Sequence, residues 1–138
     1  MRITTTIAIT GCAFAAMIWI TAAQRPADIP FEKTTLDLGA SETAAIADLN
    51  RDGKPDIMAG DTWFASPKWT PHKFRELGYS NNYIDNFSDL VFDADGDGLQ
   101  DVVSCSWFSK RLAWWKNSGG PGRWAETAIE TGAPIEFC

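Results

Sequence analysis

The chain has 138 residues and a formal net charge of −6, and 45% of its residues are apolar. No basic cluster is present, which argues against an electrostatic nucleic-acid surface. His72 is the only histidine, and with three cysteines the chain offers no Cys/His pattern of zinc spacing.

Arg2 is the only charge before Arg25, and the stretch between them is mainly Ile, Ala, Thr, Phe, Met and Trp. Residues 1–23 read as an N-terminal hydrophobic signal helix, with Arg2 as a minimal basic head and Thr21-Ala22-Ala23 as a small-residue cleavage site. Two other readings stay open. The stretch is nearly long enough to remain as a membrane anchor, and Ile9-Thr10-Gly11-Cys12 has the form of a lipid-attachment box. All three send the chain to the cell envelope or beyond it, with membrane contact only through this segment. Residues 24–35 follow as a linker. Cleavage would leave eleven basic and eighteen acidic residues, a charge of −7.

The next signal occurs twice. Asp48, Asn50, Asp52, Gly53 and Asp56 share their spacing with Asp93, Asp95, Asp97, Gly98 and Asp101. Oxygen side chains at loop positions 1, 3, 5 and 9, with the backbone carbonyl of position 7 (Lys54, Leu99), converge on one point. Such a set suits a hard cation, and Ca2+ takes about six to eight oxygens in flexible geometry. Glycine at position 6 permits the sharp turn. The first loop gathers three carboxylates and the second four. Like charges about 4 Å apart repel by roughly 4 kcal/mol at an effective dielectric near 20, so an inward-folded loop calls for a counter-ion. The plain alternative is a pair of solvated Asp/Gly turns. Seven of the eighteen acids lie in the two loops, and two bound Ca2+ ions would bring the cleaved chain from −7 to −3.

The flanks of both loops are β-like. Thr43–Ala47 leads into the first and Ile57–Phe64 leads out; Phe87–Phe92 and Val102–Phe108 do the same for the second. Each loop is therefore expected to join adjacent antiparallel strands. Trp63-Phe64, a Ser/Pro turn and Trp69–Phe74 parallel Trp114-Trp115, a Gly/Pro turn at Asn117–Gly122 and Trp124–Ile129. That alignment sets His72 against Thr127 in a strand. The loops are 45 residues apart, a period within the propeller-blade range. From loop start to final Trp is 21 residues in the first unit and 31 in the second, so the first is expected to lack a strand.

Leu38-Gly39-Ala40-Ser41, Ala45–Gly53 and Asp56-Ile57-Met58-Ala59-Gly60 together resemble an FG-GAP repeat, the repeat of integrin-type propellers and of bacterial VCBS-type repeat proteins. Leu38 stands where that family has phenylalanine, and Ala59-Gly60 matches only part of its closing segment. Ser88–Trp107 keeps the metal motif without a clear FG or GAP. Trp-Trp-x-Asn…Gly-Pro-Gly-x-Trp at 114–124 is similar to the blade hairpins of the bacterial proteins. The resemblance covers about residues 36–131. It implies an all-β, β-propeller-type fold of antiparallel blades, with calcium held by Asp48, Asn50, Asp52, Lys54, Asp56, Asp93, Asp95, Asp97, Leu99 and Asp101. It implies no catalytic residue.

The organisation expected is then a first repeat at 36–80, a second at 81–131, and the start of a further unit at 132–138. Propellers close with about four to eight blades, so two blades form an incomplete ring and suggest an N-terminal fragment. EF-hands and dockerins want an acid near position 12 and flanking helices; position 12 here is Ala59 or Ser104 and the flanks are β-like. Thrombospondin-type repeats crowd their loops together with disulfides, against the spacing here.

The function expected is calcium-stabilised ligand binding, adhesion or scaffolding, with an unknown protein or carbohydrate partner. The alternative is a secreted propeller enzyme acting on polysaccharide, whose catalytic residues lie outside this segment. Trp63, Trp107, Trp114 and Trp115 read as packing residues, Trp69 and Trp124 as surface ones. Asp61, Glu76, Asp85 and Asp89 read as free carboxylates without an acid/base spacing. Cys105 reads as a buried thiol.

Overall fold

A computed structural model describes residues 28–136. The signal helix expected at 1–23 and any pairing of Cys138 lie outside the described residues.

Among the described residues every regular element is a strand, and all sheets are antiparallel. β1 (Ala44–Ala47), β2 (Asp56–Ala59), β3 (Thr62–Ala65) and β4 (Thr70–Lys73) form a four-stranded meander in chain order. A small hairpin follows, β5 (Tyr79–Ser80) with β6 (Tyr83–Ile84), which the sequence patterns did not suggest. β7 (Ser88–Phe92), β8 (Asp101–Ser106), β9 (Arg111–Lys116) and β10 (Ala125–Thr131) form the second four-stranded meander. No helix among the described residues is long and apolar enough to cross a membrane.

The outgoing run Ile57–Phe64 is two strands, split by a turn at Gly60. Gly60 has φ +59°, and a Cβ there would lie 2.9 Å from the carbonyl oxygen of Ala40, so only glycine fits this approach. The first meander does not lack a strand. The shorter first repeat instead has four-residue strands where β8 and β9 have six, and a shorter path from β3 to β4 than the 117–124 connection. Centre and edge differ as sheet physics requires. Asp101–Cys105 of β8 are buried on both faces, whereas edge strand β10 is exposed throughout and bulged between Ala128 and Glu130. Pro71, which cannot donate to a ladder, sits in edge strand β4.

One apolar cluster draws on both meanders: Leu49, Met58, Trp63 and Phe74 from the first, Val102 and Trp124 from the second. Burying each large side chain contributes about 1.5–3 kcal/mol. Trp124 is 4% exposed, which corrects the expectation of a surface residue. The 117–123 turn folds it back onto Phe74, ring centroids 4.6 Å apart, and its N–H donates to the Phe74 carbonyl at 2.9 Å. Trp107 departs in the other direction: it follows β8 and is 43% exposed, not packed. Trp63 is buried, and Trp69, Trp114 and Trp115 are half-buried. His72 pairs with Trp63 as Thr127 pairs with Trp114, and its ring stacks on Trp63 at 4.3 Å. Cys105 is fully buried in β8.

The supposedly free carboxylates are all engaged. Asp85 accepts from the N–H groups of Phe108 and Ser109 at 3.0 and 2.9 Å. Lys73 bridges Asp61 and Glu76 at 3.0 and 2.8 Å. The ammonium bond from Lys73 and the hydroxyl of Thr62 hold Asp61 below the usual carboxylate range, although burial alone would raise it. Asp89, with a fully buried side chain, accepts from Arg75 Nη2 through both oxygens at 3.0 Å. Arg75 also donates from Nε to the Gly60 carbonyl at 2.8 Å, tying the β2–β3 turn to β7. Burial pushes this guanidinium below its ordinary value, and Asp89 works against that.

Candidate metal centre

The two Asp-rich loops connect β1 to β2 and β7 to β8, and most of their internal bonds repeat position for position; Asp48 Oδ1 accepts from Asp52 N at 3.1 Å where Asp93 Oδ1 accepts from Gly96 N at 2.8 Å. Asp48 and Asp93 each accept from the glycine at position 6 at 2.8 Å, Gly53 (φ +81°) and Gly98 (φ +84°). Asn50 Oδ1 accepts from Asp52 N at 2.9 Å, as Asp95 Oδ1 does from Asp97 N at 3.3 Å. Asp52 accepts from Lys54 N at 2.9 Å, as Asp97 does from Leu99 N at 2.8 Å. Each loop thus ties side-chain oxygens at positions 1, 3 and 5 to its own backbone N–H groups.

The ninth position has a second duty. Asp56 and Asp101 are fully buried. Asp56 accepts from Leu49 N at 3.0 Å and Ser66 N at 2.9 Å; Asp101 accepts from Ala94 N at 3.2 Å and Asn117 N at 2.7 Å. Ser66 and Asn117 each follow the third strand of their meander. One carboxylate therefore closes its loop and fixes the end of the neighbouring strand.

Asp93, Asp95 and Asp101 each turn one carboxylate oxygen into a common space, all within 4.8 Å of one another. Among the described residues no second carboxylate triad gathers in this way. Three oxygens at that spacing could hold a metal ion, and an all-oxygen donor set suits a hard cation. Asp97 stands aside from the triad. Its Oδ2 lies 2.9 Å from Lys116 Nζ, which also contacts Asp95 Oδ2. Lys116 comes from the end of β9 and lies over the Trp114 ring at 5.9 Å. In the first loop, among the described residues, the cation paired with a carboxylate is Lys54, 3.7 Å from Asp52.

Two residues that the motif did not single out bridge the loops. Arg51 reaches from the first to the second, donating from Nε to the Gly98 carbonyl at 2.8 Å and from Nη2 to the Asp97 carbonyl at 2.9 Å. Buried Asn117 donates to the carbonyls of Leu49 in the first loop and Gln100 in the second, at 2.8 and 3.0 Å. Asn117 is the Asn of Trp-Trp-x-Asn, so the signal was present without its meaning. For Arg51 the only trace is that the second loop has glycine, Gly96, at the same position. Comparison with protein-family models, with curated proteins and with solved structures finds no match.

Proposed function

We propose that this chain is an exported calcium-binding repeat protein. Its two meanders act as propeller-type blades, in an assembly serving ligand binding, adhesion or scaffolding. The observation that carries the proposal is the triad of Asp93, Asp95 and Asp101 oxygens within 4.8 Å. Oxygens bound at 2.3–2.6 Å on opposite sides of one calcium ion lie about 4.6–5.2 Å apart, so the triad fits a single ion of that size. Support for the blade reading comes from two four-stranded meanders in chain order, each with the same loop between its first two strands. Calcium would supply charge neutralisation and bind strand ends together; Asp48, Asn50, Asp52 and Asp56 would hold the first ion, Asp93, Asp95, Asp97 and Asp101 the second.

The test is thermal unfolding with calcium and with a chelator. At calcium about 100-fold above Kd, one site stabilises by about 2.7 kcal/mol, which for a domain of this size raises Tm by roughly 10 °C. The second loop should bind more tightly, so Asp97→Ala should remove the tighter step of a calcium titration and Asp52→Ala the weaker one. A Tm indifferent to calcium would defeat the proposal.

Lys116 supplies a second expectation. Its ammonium sits on two of the carboxylates an ion would need, so Lys116→Met should strengthen calcium binding at the second loop. Partly exposed charge pairs are screened, which limits the gain to about three- to five-fold in Kd. Isothermal titration would read it, and a weakened Kd would remove Lys116 as a competitor.

A further inference from the structure

Arg51 occupies a conformation that its equivalent in the second loop leaves to glycine. Its φ is +61°, and Gly96 at the same loop position has φ +79°. A non-glycine residue held there costs on the order of 1–3 kcal/mol, and such positions persist only when the surroundings over-determine them. The bonds that fix Arg51 lie on both sides of it. Within the first loop, the N–H of the next residue, Asp52, is shared by Asp48 Oδ1 at 3.1 Å and Asn50 Oδ1 at 2.9 Å. Across the gap, its guanidinium grips the second loop at the carbonyls of Asp97 and Gly98.

The grip falls on two consecutive peptide groups, and a trans peptide points its C=O and N–H in opposite directions. The peptide whose C=O belongs to Asp97 carries the N–H of Gly98, which holds Asp93 Oδ2 at 2.8 Å. The next, with the C=O of Gly98, carries the N–H of Leu99, which holds Asp97 Oδ1 at 2.8 Å. Arg51 thus aims and polarises two amides whose far ends position carboxylates of the second loop. Gly98 is needed for this approach, because a Cβ there would lie 1.5 Å from Arg51 Nη2.

We infer that Arg51 is a positioning residue that couples the two loops, so that filling the first raises the calcium affinity of the second. The inference rests on the calcium proposal above. A cation in the first loop draws on Asp48 and Asn50, the residues that fix the peptide after Arg51. The ordered guanidinium then holds the second loop in its binding shape, and linkage makes the effect mutual.

The test is a set of calcium titrations by calorimetry on the chain, alone and as Asp52→Asn, Arg51→Asn and the double variant. Asparagine tolerates the left-handed conformation, so Arg51→Asn removes the clamp while retaining the turn. Asp52→Asn should weaken the second loop about five-fold, although it touches no ligand there. In the Arg51→Asn background the same change should alter the second loop less than two-fold. Arg51→Lys, which keeps the charge and loses the fork, should behave like Arg51→Asn. A second loop of unchanged affinity across all variants would overturn the coupling and leave the calcium proposal standing. No calcium binding by the parent chain would overturn both.

Discussion

Asp89→Ala should lower the stability of this protein by about 3–5 kcal/mol, because it leaves Arg75 charged and buried without its counter-charge. Both side chains are fully shielded, and Arg75 Nη1 already lacks a hydrogen-bond partner, so no spare acceptor stands ready. Asn86 keeps one contact, Oδ1 to Arg75 Nη2 at 3.3 Å, too little to replace a carboxylate. Set against a typical total of about 5–15 kcal/mol, the loss is large. The expected fall in Tm is about 11–18 °C. The double variant Arg75→Met with Asp89→Leu should recover most of it, since apolar replacement of a whole buried pair is often neutral or better. A single variant that melts within about 5 °C of the parent would show that water or a rearranged side chain compensates Arg75.

The second large effect separates the two duties of the ninth loop position. Asp101→Ala strands the N–H of buried Asn117, costing about 1–3 kcal/mol, and frees that of exposed Ala94, which water can satisfy. The variant should therefore lose about 1–3 kcal/mol in the presence of a chelator, with no ion involved. Asp95→Ala removes one bond in an exposed turn and a partly exposed ion pair with Lys116, and should cost about 1 kcal/mol or less in chelator. In calcium both variants should lose the stabilisation that the ion gives the parent. Denaturant unfolding of the three chains, with calcium and without, reads all the differences. If Asp95→Ala keeps the full calcium effect, Asp95 is a turn residue and not a ligand.

Local patterns carried the strands. Apolar, β-like runs flanking the loops marked β1, β2, β7 and β8, and the alignment of the Trp-rich hairpins set His72 against Thr127, which lie opposite Trp63 and Trp114 in their sheets. The loops were legible for the same reason: their chemistry is contained within nine successive residues. What escaped notice depends on residues far apart in sequence. Trp124 is next to a turn, a surface position by local rules, yet it is buried against Phe74, fifty residues earlier. Arg75 and Asp89 form a pair that no periodicity announces, since charged residues read as solvated until a partner is known. Lys116 reaches the second loop from another strand, so the tally of acids within the loop missed its counter-charge.

The docking of Trp124 onto Phe74 bears on how the chain matures. Phe74 follows the first meander, and part of its cover is Trp124, from the turn that opens β10. During synthesis the early sheet must wait, incompletely shielded, until about fifty more residues have emerged. The two sheets should consequently melt in one cooperative step, with amide protons of β2 and β8 becoming exchangeable together.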